Sequence, residues 1–481
     1  MAAWNQSRTW GDLFASGVAE GLPALALSDA TLSAADLLGL ATDAASWLDR
    51  IGTSPGIAVP ALLSTTPEAV ALAVAGALGD RPLAPLNPRL TVRELIACIE
   101  PLGAPIIIAE ESSSKIAHEV AARIGCKVAI VPDLSVDSKG RLSLNRPEES
   151  IALILHTSGT TGVPKAVPIT QRKLALRVIR QGTVMGLGPG TSFASASPFQ
   201  HVAGVGTLFV ALGMGAMVIP SPPFTTEVWR GLAARGPTHA VLVPAMIERL
   251  LDEDALRLPS LRVLVYGSSP MRPGTVRRAF DALPGVDIFN MYGQTEGSPL
   301  TFLSVDDHRQ ALEGREHRLL SVGRPFEGVE LRIERPDESG VGELCARAEH
   351  MFRTDADGWL RTGDMAVIDA DGYVTLVGRK GDLIIRGGEN VYPLEVERVL
   401  GEHPGVREVA VIGVPDPRLG ERIHAVVVAA DPDNPPQSEE LRAFARDQLA
   451  GFKVPATWIF VDELPRNSTG KVLRRELVPP G

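Results

Sequence analysis

Along the chain, short runs that are apolar at every position alternate with longer stretches of mixed character. The runs fall at 106–109, 128–131, 151–155, 240–243 and 263–266. A half-buried strand would alternate apolar and polar residues, so continuous runs suit parallel strands covered on both faces. Segments 66–78 and 91–99 read as helices, with Thr66 as an N-cap and Pro67 at the first helical position. Strands alternating with helices predict an α/β architecture. The longest apolar stretch, 206–220, is interrupted by glycines. It falls short of the roughly 18–20 residues of a membrane span, so a helix running into a buried strand is expected.

From 329 to 377 the pattern changes to short alternating segments separated by glycine turns, which predicts an antiparallel β region. Beyond Gly378-Arg-Lys-Gly-Asp382 the remaining hundred or so residues read as a small α+β unit. Its expected elements are helices at 393–401 and 438–450 and strands at 409–414, 423–428 and 458–461. The expected division is a large body, 1–379, and a small mobile C-terminal domain, 380–481, with Gly381 as hinge because glycine absorbs large φ/ψ changes.

A length of 481 residues requires more than one core. The net charge of −10 disfavours a nucleic-acid partner and means that ligand phosphates need local donors. Three scattered cysteines without a C-x-x-C suggest incidental thiols in a reducing compartment rather than a zinc site or disulfide framework. The first residues carry no signal-peptide pattern, so a cytoplasmic protein is expected.

Three motifs carry chemistry. Thr157-Ser-Gly-Thr-Thr-Gly-Val-Pro-Lys165 follows an expected strand. Its glycines let backbone N–H groups converge on an anion, its hydroxyls add donors and its lysine adds charge. It is not a Walker A loop, and by itself it also reads as a flexible linker. Asn290-Met-Tyr-Gly-Gln-Thr-Glu-Gly297 offers a carboxylate for Mg²⁺ beside a threonine, and a flat tyrosine; alone it equally reads as a polar turn. Arg361-Thr-Gly-Asp364 places an aspartate at an expected strand end, where it could accept from a ribose diol or simply close a turn.

These three motifs occur in order with Pro198-Phe-Gln-His201, Tyr266-Gly-Ser-Ser269, Gly378-Arg-Lys-Gly-Asp382, Gly387-Gly-Glu-Asn-Val-Tyr-Pro393 and a final Lys471. From about residue 150 to 477 the chain resembles the adenylate-forming superfamily, most of all its acyl-CoA ligases. The resemblance implies ATP, Mg²⁺ and CoA as cofactors and a small-molecule carboxylic acid as partner. Lys471, Thr295 and Glu296 would be catalytic, with Glu296 holding Mg²⁺. ATP would meet Thr157, Ser158, Gly159, Thr160, Thr161, Gly162, Lys165, Gly267, Ser268, Ser269, Tyr292, Gly293, Asp364 and Arg379. The acyl pocket would be lined by His201, Val202, Ala203, Gly206, Gly293 and Gln294, and the CoA tunnel by Gly387, Gly388 and Glu389. His201 reads equally as a packed residue or a pocket gate. The many small residues suggest room for a bulky aromatic, alicyclic or medium-chain acid. None of them is basic, which disfavours a second carboxylate. Two departures stand out: Gly381 replaces a usual aspartate or lysine, and Ala166 a common glycine. The competing expectations are a stand-alone enzyme loading a carrier protein on a separate chain and a nucleotide-binding pseudoenzyme; a homodimer is left open.

Overall fold

A computed structural model describes residues 7–136, 141–158, 164–466 and 472–477. Nine strands form one sheet, in the order Arg324–Pro325, Thr301–Leu303, Asp287–Tyr292, Val263–Gly267, His239–Leu242, Ser192–Ser195, Met217–Ile219, Pro23–Ala26 and Thr31–Ser33. The six central strands run parallel, and antiparallel strands close both edges. A second sheet orders Lys127–Ile130, Ile106–Ala109, Val59–Leu62, Leu83–Pro85 and Ile151–Ser158 in parallel, ending on antiparallel Pro164–Thr170. The runs at 106–109, 151–155, 240–243 and 263–266 are thus internal parallel strands, as their pattern requires, whereas 128–131 falls on the partly exposed edge strand Lys127–Ile130.

One apolar core joins the two sheets through the helices Trp10–Glu20, Ala34–Ile51, Pro67–Leu78, Gln171–Met185 and Val205–Gly213. In Pro67–Leu78 every side from Ala69 to Leu78 is buried, and Thr66 Oγ1 caps it by accepting from the Ala69 amide at 3.1 Å. Trp10 stacks on Phe14, meets Phe209 edge-on and donates its indole N–H to the Phe209 carbonyl at 3.0 Å. That contact fixes the helix Val205–Gly213 behind the Pro198–Gly206 turn. The 206–220 stretch is this helix followed by strand Met217–Ile219. No helix among the described residues is long and apolar enough to cross a membrane.

The glycine-rich region forms a four-stranded antiparallel sheet: Glu330–Glu334, Gly342–Arg347, Leu360–Ile368 and Val374–Arg379. After it, strands Ile384–Arg386, Glu389–Val391, Val406–Asp416, Gly420–Ala429 and Thr457–Phe460 make a separate sheet, flanked by helices Pro393–Gly401 and Ser438–Gln448. Two apolar clusters there use only residues from Ile384 onward. Helix Pro393–Gly401 meets the preceding sheet through Arg398, whose buried guanidinium donates to the carbonyls of Leu376 (2.9 Å) and Leu320 (3.2 Å).

Candidate active site

Asp364 lies inside strand Leu360–Ile368 rather than at a strand end, and Gly363 before it has φ +70°. That left-handed kink lets the strand break its alternation and aim the carboxylate at the neighbouring loop. Asp364 is only 5% exposed, and three donors hold it. Arg379 Nε lies 2.8 Å from Oδ1, while the Tyr292 hydroxyl (2.6 Å) and Gln294 Nε2 (2.9 Å) both donate to Oδ2. Burial, and secondarily the adjacent Asp364 charge, push the Tyr292 hydroxyl pKa well up, so it stays a donor. Gln294 also donates to the Thr362 carbonyl at 2.6 Å. Its amide is therefore committed to the Asp364 loop.

The strand Val263–Gly267 delivers the next element. Gly267 pairs with Met291, and a Cβ on it would stand 2.3 Å from the Met291 carbonyl oxygen, so only glycine permits this register. Ser268 follows at φ +69°, a conformation costly outside glycine, and Ser269 continues the turn beside Tyr292's strand. A Cβ on Gly293 would meet Ser298 at 2.9–3.0 Å. Thr295 and Glu296 sit half-buried, and the Glu296 carbonyl accepts from the amides of Phe352 (2.7 Å) and Arg353 (3.1 Å).

No group of three His, Cys, Asp or Glu that could hold a metal gathers among the described residues. Glu296 alone matches a Mg²⁺ that takes one carboxylate and completes its shell with phosphate oxygens and water. Thr157 and Ser158 end strand Ile151–Ser158 and pair with Lys165 and Pro164. Residues Gly159, Thr160, Thr161 and Gly162 of the phosphate motif, and Lys471, lie outside the described residues. Lys165 is exposed on the returning strand.

On the acyl side, the turn from Pro198 to Gly206 is closed by backbone bonds, His201 N–H to Pro198 O (3.1 Å), Gly204 N–H to His201 O (2.9 Å) and Val205 N–H to Phe199 O (3.1 Å). His201, Val202 and Ala203 are half-buried at its tip. Burial holds His201 at a pKa of about 4, so its imidazole is neutral. Gly206 adds no open volume, contrary to the expectation from its size. A Cβ there would stand 2.7 Å from Arg177 Nη1.

Arg177, which the sequence did not single out, donates from Nη2 to the Val202 carbonyl of this turn at 2.9 Å. It is 1% exposed, and burial pushes its guanidinium down to about 9. The available signal was its place on the buried stripe of Leu174, Val178, Gln181 and Met185, where an apolar residue is expected. Next to it, Arg180 Nη1 bonds His350 Nδ1 at 2.6 Å, and His350 Nε2 bonds the Pro299 carbonyl at 2.9 Å. Helix Gln171–Met185 is thereby linked through His350 to the loop that follows Thr295 and Glu296.

Gly381 sits exposed between two sets of anchors. On the body side Arg379 holds Asp364, and Lys380 Nζ lies 2.7 Å from Glu343 Oε2, whose Oε1 accepts from the Gly363 amide. On the other side Asp382 is 3.3 Å from Arg474 Nε, and Arg474 also grips Glu397. A Cβ on Gly381 would meet no atom within 4 Å. Gly387 (φ +62°), Gly388 (φ +91°) and Glu389 form an exposed hairpin bend, which this arrangement leaves facing solvent. Cys98 and Cys345 are buried, and burial raises the Cys98 thiol to about 12.

The chain matches the AMP-binding enzyme family over residues 16–354 and the AMP-binding enzyme C-terminal domain over 395–471. It is 31% identical to the fatty acid–[acyl-carrier-protein] ligase ScoC of Streptomyces coeruleorubidus, covering 95% of this chain and 92% of that protein. Feruloyl-CoA synthase of an Amycolatopsis species is also 31% identical, over 99% of this chain and 98% of its own. The solved amide bond synthetase McbA of Marinactinospora thermotolerans superposes with a TM-score of 0.86 at 30% identity, covering 99% of both chains. The parallel-rich body, the antiparallel sheet and the small C-terminal unit share one fold with that enzyme, and the chain belongs to the AMP-binding enzyme family of AMP-forming, acid-activating ligases.

Proposed function

We propose that the protein uses ATP to convert a carboxylic acid into its acyl-adenylate and then transfers the acyl group to the thiol of CoA. The observation that carries this reading is Asp364. A nearly buried carboxylate gripped by Arg379, Tyr292 and Gln294 beside a glycine kink is pre-oriented to accept from a ribose diol. The turn at the left-handed Ser268, which follows the strand paired to Tyr292's strand, would take the base.

The first half-reaction joins two anions, so positioning and charge neutralisation must supply most of the catalysis. Lys471 would neutralise the attacking carboxylate and the α-phosphate. The 157–165 segment, with Lys165, would take the leaving pyrophosphate, and Thr295 would contact the α-phosphate. Mg²⁺ at Glu296 would screen the phosphate charge. In the second half-reaction the thiolate sulfur forms the bond to the acyl carbon while the carbon–oxygen bond to AMP breaks, and AMP carries off that electron pair. Lys471 has no part in it. We place the division between a body, 1–379, and a lid, 380–481, with rotation about Gly381, because the residues on either side of it are tied to different units. That rotation would bring Gly387, Gly388 and Glu389, solvent-facing here, to a pantetheine arm.

The acid proposed is an aromatic, alicyclic or medium-chain one, bordered by His201, Val202 and Ala203. Pyrophosphate release across an acid panel, with and without CoA and with products weighed by mass spectrometry, tests the proposal. Acyl-CoA formed without added protein supports it. Adenylate that accumulates with CoA and is consumed only on adding a phosphopantetheinylated carrier points to carrier loading instead, the activity named for ScoC. Absence of pyrophosphate release across the panel refutes acid activation.

A further inference from the structure

The turn that carries Thr295 and Glu296 is pinned by its backbone and left free in its side chains. The Glu296 carbonyl accepts from the amides of Phe352 (2.7 Å) and Arg353 (3.1 Å). The Gln294 carbonyl closes the turn by accepting from the amides of Ser298 (2.7 Å) and Gly297 (3.1 Å). The Pro299 carbonyl accepts from His350 Nε2 at 2.9 Å. By contrast, the Thr295 hydroxyl and the Glu296 carboxylate take no hydrogen bond or ion pair among the described residues. A fixed backbone that presents unpaired polar groups is pre-organised for a ligand that brings the missing partners.

The pins on Glu296 and Pro299 come from one segment, 350–353, and its anchor is a histidine. His350 is completely buried. Arg180 Nη1 lies 2.6 Å from its Nδ1. A guanidinium can only donate, so Nδ1 accepts and Nε2 carries the hydrogen given to Pro299. The arginine thus fixes the tautomer that the turn requires. Glu349, next in the chain, is held by Arg172, whose Nε is 3.1 Å from Oε1. Met351 packs in the apolar cluster of Leu300 and Leu360 and keeps the segment in register. Arg172 and Arg180 lie on helix Gln171–Met185, which continues directly from strand Pro164–Thr170 and so from Lys165. Residues 349–353 therefore join the element that follows the phosphate segment to the turn that carries Glu296.

We infer that His350 is a positioning residue for ATP and its Mg²⁺. Together with Arg180 it holds the Thr295–Glu296 turn at a fixed place relative to the phosphate segment, so that the Glu296 carboxylate meets the ion without reorganising. This rests on the acid-activating reading above, in which Glu296 takes Mg²⁺. His350 itself touches neither nucleotide nor acid and exchanges no proton. An apolar ring of similar size would fill its space but forfeit the bonds to Arg180 and Pro299. An outer residue of this kind acts on the metal-dependent part of binding, because Asp364 would hold the ribose separately.

The test measures ATP affinity of the full chain by calorimetry, without acid, in excess Mg²⁺ and in EDTA. The wild-type protein should bind ATP at least about tenfold more tightly with Mg²⁺. His350→Phe should cut that gain to less than about threefold, while the affinity in EDTA stays within about threefold of wild type. His350→Gln keeps an acceptor and a donor and should restore most of the gain. His350→Asn keeps the acceptor for Arg180 but falls short of Pro299, so it should behave as His350→Phe does. It also replaces that variant should the larger ring fail to fold. A purely structural role predicts equal losses with and without Mg²⁺. That result, or a His350→Phe protein that keeps the full Mg²⁺ gain, overturns the inference. Wild-type protein that binds ATP equally well in both solutions sinks it too, but leaves acid activation standing. No ATP binding in either solution would count against both.

Discussion

Replacing Asp364 by asparagine tests the centre of the site while keeping its shape. The native carboxylate accepts from Arg379 Nε at 2.8 Å on one oxygen and from Tyr292 and Gln294 at 2.6 and 2.9 Å on the other. An asparagine keeps one oxygen for Arg379 and presents an N–H₂ to the other two. The tyrosine hydroxyl can turn and accept. Gln294 cannot, because its amide N–H₂ is also held by the Thr362 carbonyl at 2.6 Å, and a flip would oppose two oxygens. One buried donor is left without a partner, at about 1–3 kcal/mol. Arg379 loses a charged partner, worth at most about 1 kcal/mol given its 44% exposed side chain. The sum is about 1–4 kcal/mol. A body of roughly 380 residues gains about 0.8 kcal/mol/K of unfolding entropy, so the melting midpoint should fall by about 1–5 °C. If the same carboxylate takes the ribose diol, the ATP KM should also rise by at least about tenfold. Tyr292→Phe removes one donor and keeps the charge, so it should cost less on both counts. Calorimetry and steady-state pyrophosphate release read the two effects. An Asp364→Asn protein melting within about 1 °C of wild type, with ATP KM within about threefold, would refute the argument.

Gly267→Val would press a side chain onto the Met291 carbonyl, where a Cβ alone stands at 2.3 Å. It should cost about 1–3 kcal/mol in chemical denaturation and raise the ATP KM more than the acid KM. Lys471→Ala should abolish adenylate formation yet spare thioester formation from a synthetic acyl-adenylate; equal loss in both assays would contradict a lysine that serves one half-reaction. Gly381→Pro should do the reverse, slowing CoA transfer about tenfold or more while pyrophosphate exchange persists, because proline restricts the backbone at the point between the two anchors. His201, His239, His308 and His350 are held near pKa 4, mainly by burial, below the unfolded value of 6.5. Their folded forms resist protonation while the unfolded chain does not, so stability should fall as pH drops through 6.5 toward 4. Each contributes up to about 1.4 kcal/mol between pH 7.5 and 5.5, and a denaturant midpoint unchanged across that interval would exclude the effect.

Much of the architecture is written in short range. A run such as Ile106–Ala109 has no polar face, so it can only be a strand covered on both sides, and Thr66-Pro67 declares a helix start whatever surrounds it. The order of the glycine- and hydroxyl-rich motifs identifies the family because backbone approach to phosphates demands particular residues at fixed spacing. Long-range contacts decided the rest. Sequence places Gln294 beside Thr295, and only packing shows its amide turned to Thr362 and Asp364, seventy residues on. Gly206 promised volume until a guanidinium from another helix filled it. Arg177 shares its helix with Arg172, Lys173 and Arg180, and only its place on the apolar stripe sets it apart locally from those three. What distinguishes it is desolvation, a property set by the neighbouring elements that close over a residue and not by the residue itself. The sequence by itself determined the family, the strands and the ATP chemistry; the tertiary structure decided which charges are buried and what they meet, because burial and partner geometry exist only once distant segments meet.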